Sequence, residues 1–197
     1  MTAHIFENSL DYEQSQFVEQ DKFYKEQLNA ATIKRFDFNN PEEKEFQKED
    51  IDLQLTFDDG RDSIYVSEKH RKAKYNDILL ETYSKYPHEF GWLKKCRADY
   101  LAYFMNDKVY WIKERTLKEF CITNLKGKIT SKDFDLTYLG KKSTSVSKTI
   151  NIQGKMEKLW LIQAYNRSGS SEWFTESMAI PIDCLKRCGV EIEEYKL

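Results

Sequence analysis

The chain of 197 residues has few of the residues that interrupt regular structure, since it contains only 3 prolines and 7 glycines. This scarcity argues against long flexible linkers. The chain also lacks any apolar run near the roughly 18 residues of a membrane-spanning helix, and its first ten residues lack the basic start and apolar core of a secretory signal. We therefore expect no membrane segment and a cytoplasmic protein.

Paired cysteines are missing as well. The 4 cysteines occupy positions 96, 121, 184 and 188 and show no Cys-x-x-Cys spacing. This pattern does not favour a zinc site and predicts free thiols in a reducing compartment. A hydrophobic fraction of 40% indicates a globular protein with a substantial core.

Charge is distributed unevenly along the chain. Residues 1–62 contain 7 Lys and Arg against 16 Asp and Glu, whereas residues 63–160 contain 20 against 11. A basic middle suits a phosphate backbone, because lysine and arginine displace its counterions. A lysine-rich face is equally common as ordinary solvated surface, so both interpretations stay open.

Residues 50–69 predict two strands joined by a tight turn. Apolar and polar residues alternate through DIDLQLTF (50–57), and the Asp-Asp-Gly sequence at 58–60 is typical of a hairpin connection. In the second strand Ile64 and Val66 share one face, while Tyr65, Ser67 and Lys69 share the other. If the apolar faces of the two strands coincide, the side chains of Asp52, Ser67 and Lys69 meet on the opposite face.

An acid and a lysine held together in this way have a chemical use. A carboxylate can hold a divalent metal, and a lysine can orient water or offset charge on a scissile phosphate. A second acid is needed, and we expect it from Glu81 on a helix that starts at Asn76 or Asp77 and ends before Pro87.

The unit containing Asp52, the triplet Ser67-Glu68-Lys69 and Glu81 resembles the PD-(D/E)XK nuclease superfamily, in the variant whose second acid lies on the following helix. The resemblance covers about residues 15–112. It implies catalytic roles for Asp52, Lys69 and Glu81, and Mg²⁺ or Mn²⁺ held by Asp52 and Glu81, with Glu68 as a further candidate ligand. In an alternative register Glu68 is the acid, with His70 on its face in place of Lys69.

The resemblance also implies the fold. We expect an α+β protein in which a mixed central sheet of about five strands is flanked by helices, as in restriction endonucleases. Residues 1–197 would form a single domain, with the nuclease-like core in residues 9–122 and a β-rich extension in residues 123–197. The sequence pattern predicts helices at 9–30, 76–86, 114–121 and 184–189, strands at 32–38, 50–57, 63–69, 98–105, 108–113, 158–165 and 173–182, and an exposed loop or irregular hairpin at 125–149.

The implied function is metal-dependent hydrolysis of DNA by an endonuclease of the kind carried by phages and mobile elements. Its partner would be duplex or branched DNA, and a homodimer is compatible with this activity. The alternative is a non-catalytic nucleic-acid-binding or inhibitor protein on the same fold, and a third interpretation is a protein-binding module that uses the acidic N-terminal third. The basic residues expected to contact nucleic acid are Lys48, Arg71, Lys72, Lys74, Lys94, Lys95 and Arg97.

Overall fold

A computed structural model describes residues 4–5, 17–37, 39–71, 75–105, 107–134 and 142–197 of the chain. These residues form two compact units, each assembled from separate stretches of sequence. Of the described residues, those in the ranges 17–75, 95–115 and 191–197 form the Asp52 unit. Strand β1 and the described residues within 76–94 and 116–190 form the Trp160 unit.

The described elements alternate irregularly between strands and short helices. The strands are β1 His4–Ile5, β2 Thr32–Arg35, β3 Leu53–Thr56, β4 Ile64–Arg71, β5 Asp77–Lys85, β6 Glu89–Phe90, β7 Tyr100–Met105, β8 Lys108–Lys113, β9 Thr144–Ile152, β10 Lys155–Ser168, β11 Ser171–Pro181 and β12 Ile192–Lys196. The helices are α1 Phe17–Glu26, α2 Lys44–Lys48, α3 Trp92–Lys95, α4 Glu114–Asn124, α5 Ser131–Phe134 and α6 Ile182–Arg187.

The Asp52 unit contains a six-stranded sheet with the order β12-β8-β7-β4-β3-β2. Strands β2, β3 and β4 follow one another as antiparallel neighbours, and β4 pairs with β7 in parallel. The two central strands of this sheet are therefore β4 and β7. A central strand has hydrogen-bonded neighbours on both sides, so the direction of each β4 side chain is fixed.

Helix α1 covers one face of that sheet. Phe23 and Tyr24 pack against Leu53, Leu55 and Val66, and these three sheet residues have no exposed surface. Leu53 and Leu55 alternate with half-buried Gln54 and Thr56, as the period-2 pattern predicts. Burying a Leu or Val side chain stabilises a fold by roughly 1.5–3 kcal/mol, so this layer fixes which face of β4 points away from the helix.

The Trp160 unit contains the second six-stranded sheet, with the order β1-β10-β11-β5-β6 and with β9 paired to β10. Strands β9, β10 and β11 form two consecutive antiparallel hairpins, and β5 continues the sheet beyond β11. Leu159 and Leu161 of β10 are buried and alternate with exposed residues. Helix α6 packs against β11.

The predicted fold class is wrong. The described residues are mostly β and form two sheets, rather than one sheet of about five strands flanked by helices. The largest error concerns residues 76–86, which form strand β5 and not a helix. The apolar run Ile78-Leu79-Leu80 fits either period, and pairing with β11 buries Ile78 and Leu80 completely on one face of the sheet.

Residues 125–149, predicted to form an exposed loop or irregular hairpin, contain helix α5 and the first six residues of β9, which pairs with β10. Residues 135–141 lie outside the described ranges. The boundary between a core at 9–122 and an extension at 123–197 does not coincide with the two units, because strand β5 pairs with β11. The expectation of a single domain stays a prediction.

Several predicted elements are confirmed to within three residues at each end: strands β4, β7, β8, β10 and β11 and helices α4 and α6. In the part of the chain that the structure describes, no helix is long and apolar enough to cross a membrane.

Candidate functional site

Asp52 sits at a fixed position between two strands. Its backbone N–H donates to the carbonyl of Val66 at 2.9 Å, and its own carbonyl accepts from the N–H of Phe36 at 2.9 Å. One side-chain oxygen, Oδ2, also accepts the backbone N–H of Glu68 at 2.7 Å. The carboxylate is therefore held against β4 by backbone geometry, and its side chain keeps 38% of its surface exposed.

The structure brings Asp52, Ser67 and Lys69 together on one face of β4. The ammonium nitrogen of Lys69 lies 2.8 Å from Oδ2 of Asp50, 4.0 Å from Oδ2 of Asp52 and 2.7 Å from the hydroxyl oxygen of Ser67. Val66 points to the opposite, buried face, as the predicted side-chain alternation of this strand requires. Only 17% of the Lys69 side chain is exposed.

Asp50 is a member of this group that the sequence interpretation missed. Its Oδ2 accepts the hydroxyl of Ser67 at 2.7 Å as well as the ammonium of Lys69. Asp50 precedes β3 and has a φ of 56°, a left-handed conformation that Asp adopts more readily than most residues. The signal was present, because Asp50 and Asp52 occupy the same polar positions in the alternating pattern.

The charges of this group reinforce one another. Burial by itself would lower the pKa of Lys69, but the carboxylates of Asp50 and Asp52 outweigh burial and raise that pKa above its ordinary value. Burial raises the pKa of Asp52, while the Lys69 ammonium opposes this shift. Lys69 is therefore positively charged at neutral pH, and its charge is matched against two carboxyl groups.

This charge state excludes one chemistry that the Ser67–Lys69 contact suggests. A lysine that activates a serine nucleophile must accept the serine proton, and a protonated ammonium has no free lone pair with which to do so. In this structure the Ser67 hydroxyl instead accepts from Lys69 and donates to Asp50. Ser67 thus acts as a spacer that positions the lysine and the two carboxylates.

Glu68 and His70 project to the other face of β4, beneath helix α1. The hydroxyl of Tyr24 donates to Oε1 of Glu68 at 2.8 Å, and Arg35 donates to Oε2 at 2.6 Å. Burial raises the pKa of Glu68, although Arg35 and Tyr24 act in the opposite direction. Gln20 contacts the Nε2 atom of His70 at 3.1 Å. The alternative register, with Glu68 and His70 on one face, thus describes a buried network on the core side of the sheet.

The structure places Glu81 on strand β5, in the Trp160 unit, where it pairs with Ser177 of β11. Gly91 lies directly against it, since a Cβ atom added at Gly91 would come within 2.5 Å of the Glu81 carbonyl oxygen. Because Glu81 and Asp52 belong to different compact units, their convergence stays a prediction.

The donor atoms near Lys69 suit a hard divalent cation. Mg²⁺ is commonly held by one or two carboxylates and completes its shell with waters and substrate oxygens. Asp50 and Asp52 supply two carboxylates, both with Oδ2 within 3.4 Å of the Ser67 hydroxyl. Among the described residues no group of three or more His, Cys, Asp and Glu side chains is arranged to hold a metal.

The predicted nucleic-acid contacts are distributed over both units. Arg71, at the end of β4, is half-buried with its guanidinium 4.4 Å from the ring centre of Tyr75. Lys94 is exposed with its ammonium 3.2 Å from the ring centre of Phe90. Lys48 is exposed and paired with Glu45, Lys95 and Arg97 are exposed, and Lys72 and Lys74 lie outside the described residues.

Comparison of this chain with protein-family models, with curated proteins and with solved structures gave no match in any of the three searches. The site is therefore interpreted from its own geometry.

Proposed function

We propose that the protein is a metal-dependent endonuclease that hydrolyses phosphodiester bonds in DNA. The observation that supports this proposal is the position of the Lys69 ammonium, which is partly buried and lies 2.8 Å from Oδ2 of Asp50 and 4.0 Å from Oδ2 of Asp52. A carboxylate pair beside a permanently charged lysine is suited to an anionic substrate that binds together with a cation.

Each side chain has a role in this proposal. Asp52 and Asp50 would hold Mg²⁺ or Mn²⁺, and Glu81 remains the expected further ligand. When bound, the metal polarises a phosphoryl oxygen and lowers the pKa of a coordinated water. Lys69 places its positive charge beside the scissile phosphate and offsets the negative charge that develops there. Ser67 holds Lys69 and Asp50 in position through its hydroxyl.

The partners and location belong to the same proposal. The substrate is duplex or branched DNA, and the protein acts in the cytoplasm, where its four free cysteines would stay reduced. In a homodimer, two such sites could each cut one strand of a duplex.

Cleavage assays test the proposal directly. Purified protein should cut DNA in Mg²⁺ or Mn²⁺ and stop in EDTA. Asp52→Asn and Lys69→Met should each lower the cleavage rate by at least about 100-fold, because each removes a charge placed to act at the reacting phosphate. Asp62→Asn is the matched control, since Asp62 is an exposed residue of the same unit, and this variant should cut at the unaltered rate. Loss of activity in Asp62→Asn, or full activity in Asp52→Asn, would contradict the proposal.

A non-catalytic nucleic-acid-binding protein is the second candidate. One observation favours it: the described carboxylates of the site already have internal partners, since Asp50 accepts from Ser67 and Lys69 and Asp52 accepts from a backbone N–H. A folded protein that binds DNA but cuts no duplex, branched or single-stranded substrate in either metal would select this candidate.

A further inference from the structure

The Trp160 unit presents an unusual exposed surface on the hairpin of β9 and β10. Along β10, Met156, Lys158 and Trp160 point outward, while Leu159 and Leu161 are buried on the other side. Across the hairpin, residues of β9 stand opposite the three outward residues: Asn151 opposite Met156, Thr149 opposite Lys158 and Ser147 opposite Trp160. We call these six residues the Trp160 face.

The apolar residues of this face are more exposed than folding requires. Trp160 is 41% exposed and Met156 is 61% exposed. The sheet has its own buried side, so neither side chain is needed to complete a core. Two other tryptophans of the chain, Trp92 and Trp111, are 8% and 5% exposed. A large aromatic ring left in water beside an exposed methionine is a common feature of a binding surface.

The polar residues of the face indicate the charge of its ligand. Lys158 holds its ammonium 4.7 Å from the centre of the Trp160 ring. Ser147, Thr149 and Asn151 add neutral hydrogen-bonding groups, and the face contains no Asp or Glu, although the chain has 33 acidic residues. Among the described residues, Lys158 forms no ion pair with an acidic side chain. An aromatic ring with an adjacent cation and hydroxyls fits a ligand that combines flat rings with negative charge.

Other lysines of the hairpin lie mostly on its opposite side. Lys128 donates to the carbonyl oxygen of Asn151, a residue of the face, at 2.8 Å, whereas Lys148 and Lys155 occupy the alternate strand positions that point away from the face. Lys155 is partly neutralised by Glu157 at 3.1 Å, and Lys148 by Asp133 at 2.6 Å. The positive charge of the face is therefore that of Lys158, with no acidic residue among the other five, and this favours an anionic ligand over a neutral sugar or an apolar surface.

We propose that the Trp160 face binds single-stranded nucleic acid, with a base stacked on the Trp160 ring and an adjacent phosphate on Lys158. A single strand is required because the bases of an intact duplex are stacked on one another and offer no free ring face. Exposed aromatic rings beside cations are the general means by which proteins bind single strands without reading their sequence. This binding does not depend on the proposed cleavage reaction.

The experiment measures binding in EDTA, so that any metal-dependent cleavage is switched off. The probe is a single-stranded 12-mer of deoxythymidine, followed by its anisotropy and by the tryptophan emission of the protein. Stacking should quench the emission of wild-type protein. Trp160→Leu should weaken binding about 5- to 100-fold, while Trp160→Phe keeps a ring and should recover most of the affinity.

Two further comparisons separate stacking from general charge attraction. A 12-mer without bases carries the same phosphates and should bind wild-type protein about as weakly as the thymidine 12-mer binds Trp160→Leu. Lys158→Gln should reduce the slope of log affinity against log salt by about 0.7, the value for one phosphate contact on a single strand. Lys186→Gln, at an exposed lysine of α6, should leave that slope unchanged.

The proposal is overturned if Trp160→Leu binds the thymidine 12-mer as tightly as wild type, if the base-free strand binds equally well, or if duplex DNA competes more strongly than single strands. A failure of cleavage in the nuclease assays would leave these binding results unaffected. If Trp160→Leu still cleaves DNA and binds the 12-mer like wild type, the binding proposal for the Trp160 face fails while the nuclease proposal stands.

Discussion

The ammonium nitrogen of Lys69 lies 2.8 Å from Oδ2 of Asp50, a residue that reaches it from a left-handed turn rather than from a strand. This contact joins the first aspartate of the Asp50-Ile51-Asp52 sequence to the central strand β4. Because Oδ2 of Asp52 lies 4.0 Å from the same ammonium, one cation balances two carboxylates, and its removal should affect the energy of both.

Lys69→Met should lower the free energy of unfolding by about 2–3 kcal/mol, since it leaves two partly buried carboxylates without their cation. Urea unfolding at pH 7 measures this change. Mg²⁺ should restore more stability to Lys69→Met than to wild type, because the site then offers uncompensated oxygen ligands. Lys48→Met, at an exposed ion pair with Glu45, should change stability by about 0.5 kcal/mol or less. An equal response of both proteins to Mg²⁺ would show that the carboxylates do not share a cation.

Glu68→Gln tests the buried network on the core side of β4. The side chain of Glu68 is 6% exposed, and it accepts from both Arg35 and Tyr24. The substitution leaves the Arg35 guanidinium with one carboxylate fewer in a largely buried position, so stability should fall by about 2–4 kcal/mol. Glu26→Gln is the matched control, because the Lys22–Glu26 pair is 3.9 Å long and well exposed. Chemical denaturation that gives equal values for the two variants would contradict this account of Glu68.

The polar face of the Asp52–Lys69 hairpin could be predicted because it depends on local parity. Once Val66 points to the core, Ser67 and Lys69 must point the other way. The contact of Glu68 with Arg35 and Tyr24 could not be found in this way, because the partners are 33 and 44 residues distant in sequence. The alternation of side chains along β4 predicts the side of the sheet on which Glu68 lies, but its contacts become visible only once helix α1 is packed on that side.

Strand β5 shows why the fold class was mispredicted. Within residues 77–85 the apolar run is Ile78-Leu79-Leu80, and a run this short does not distinguish a helix from a buried strand. The pairing with β11 decides, and β11 starts at Ser171, 86 residues after β5 ends at Lys85. Long-range pairing of this kind leaves no local signature, and with β5 in a sheet the expected helical cover of a single central sheet is lost.

His70 should contribute a loss of stability as the pH decreases. Burial, followed by the positive charges of Lys69 and Arg35, lowers the pKa of His70 to about 4. In the unfolded chain the imidazole takes up a proton near pH 6.5. Between these two values the unfolded state binds more protons, so up to about 3 kcal/mol of stability is lost as the pH falls from about 6.5 to 4.

Comparison with His70→Gln isolates this effect in urea unfolding at pH 7, 5.5 and 4. The raised pKa values of Asp52 and Glu68 act in the opposite direction, because their folded forms take up protons more readily than their unfolded forms. They are common to both proteins, so the difference in slope reports His70 alone. His88→Gln, at an exposed imidazole, should keep the wild-type slope. If His70→Gln also keeps the wild-type slope of stability against pH, His70 is not the source of the pH dependence.

Gly91→Ala should destabilise the Trp160 unit through strand β5. An added Cβ atom would lie 2.5 Å from the carbonyl oxygen of Glu81 and 2.6 Å from its Cγ, and backbone at that distance can only be relieved by moving the strand. We expect a loss of about 2–3 kcal/mol. Gly60→Ala is the control, since its Cβ meets no atom within 4 Å and its φ of 85° alone should cost about 1–2 kcal/mol.

If Glu81 contributes to the proposed nuclease site, cleavage by folded Gly91→Ala should fall while cleavage by Gly60→Ala persists. A Gly91→Ala protein that is as stable and as active as Gly60→Ala would exclude both the close approach and the catalytic contribution of Glu81.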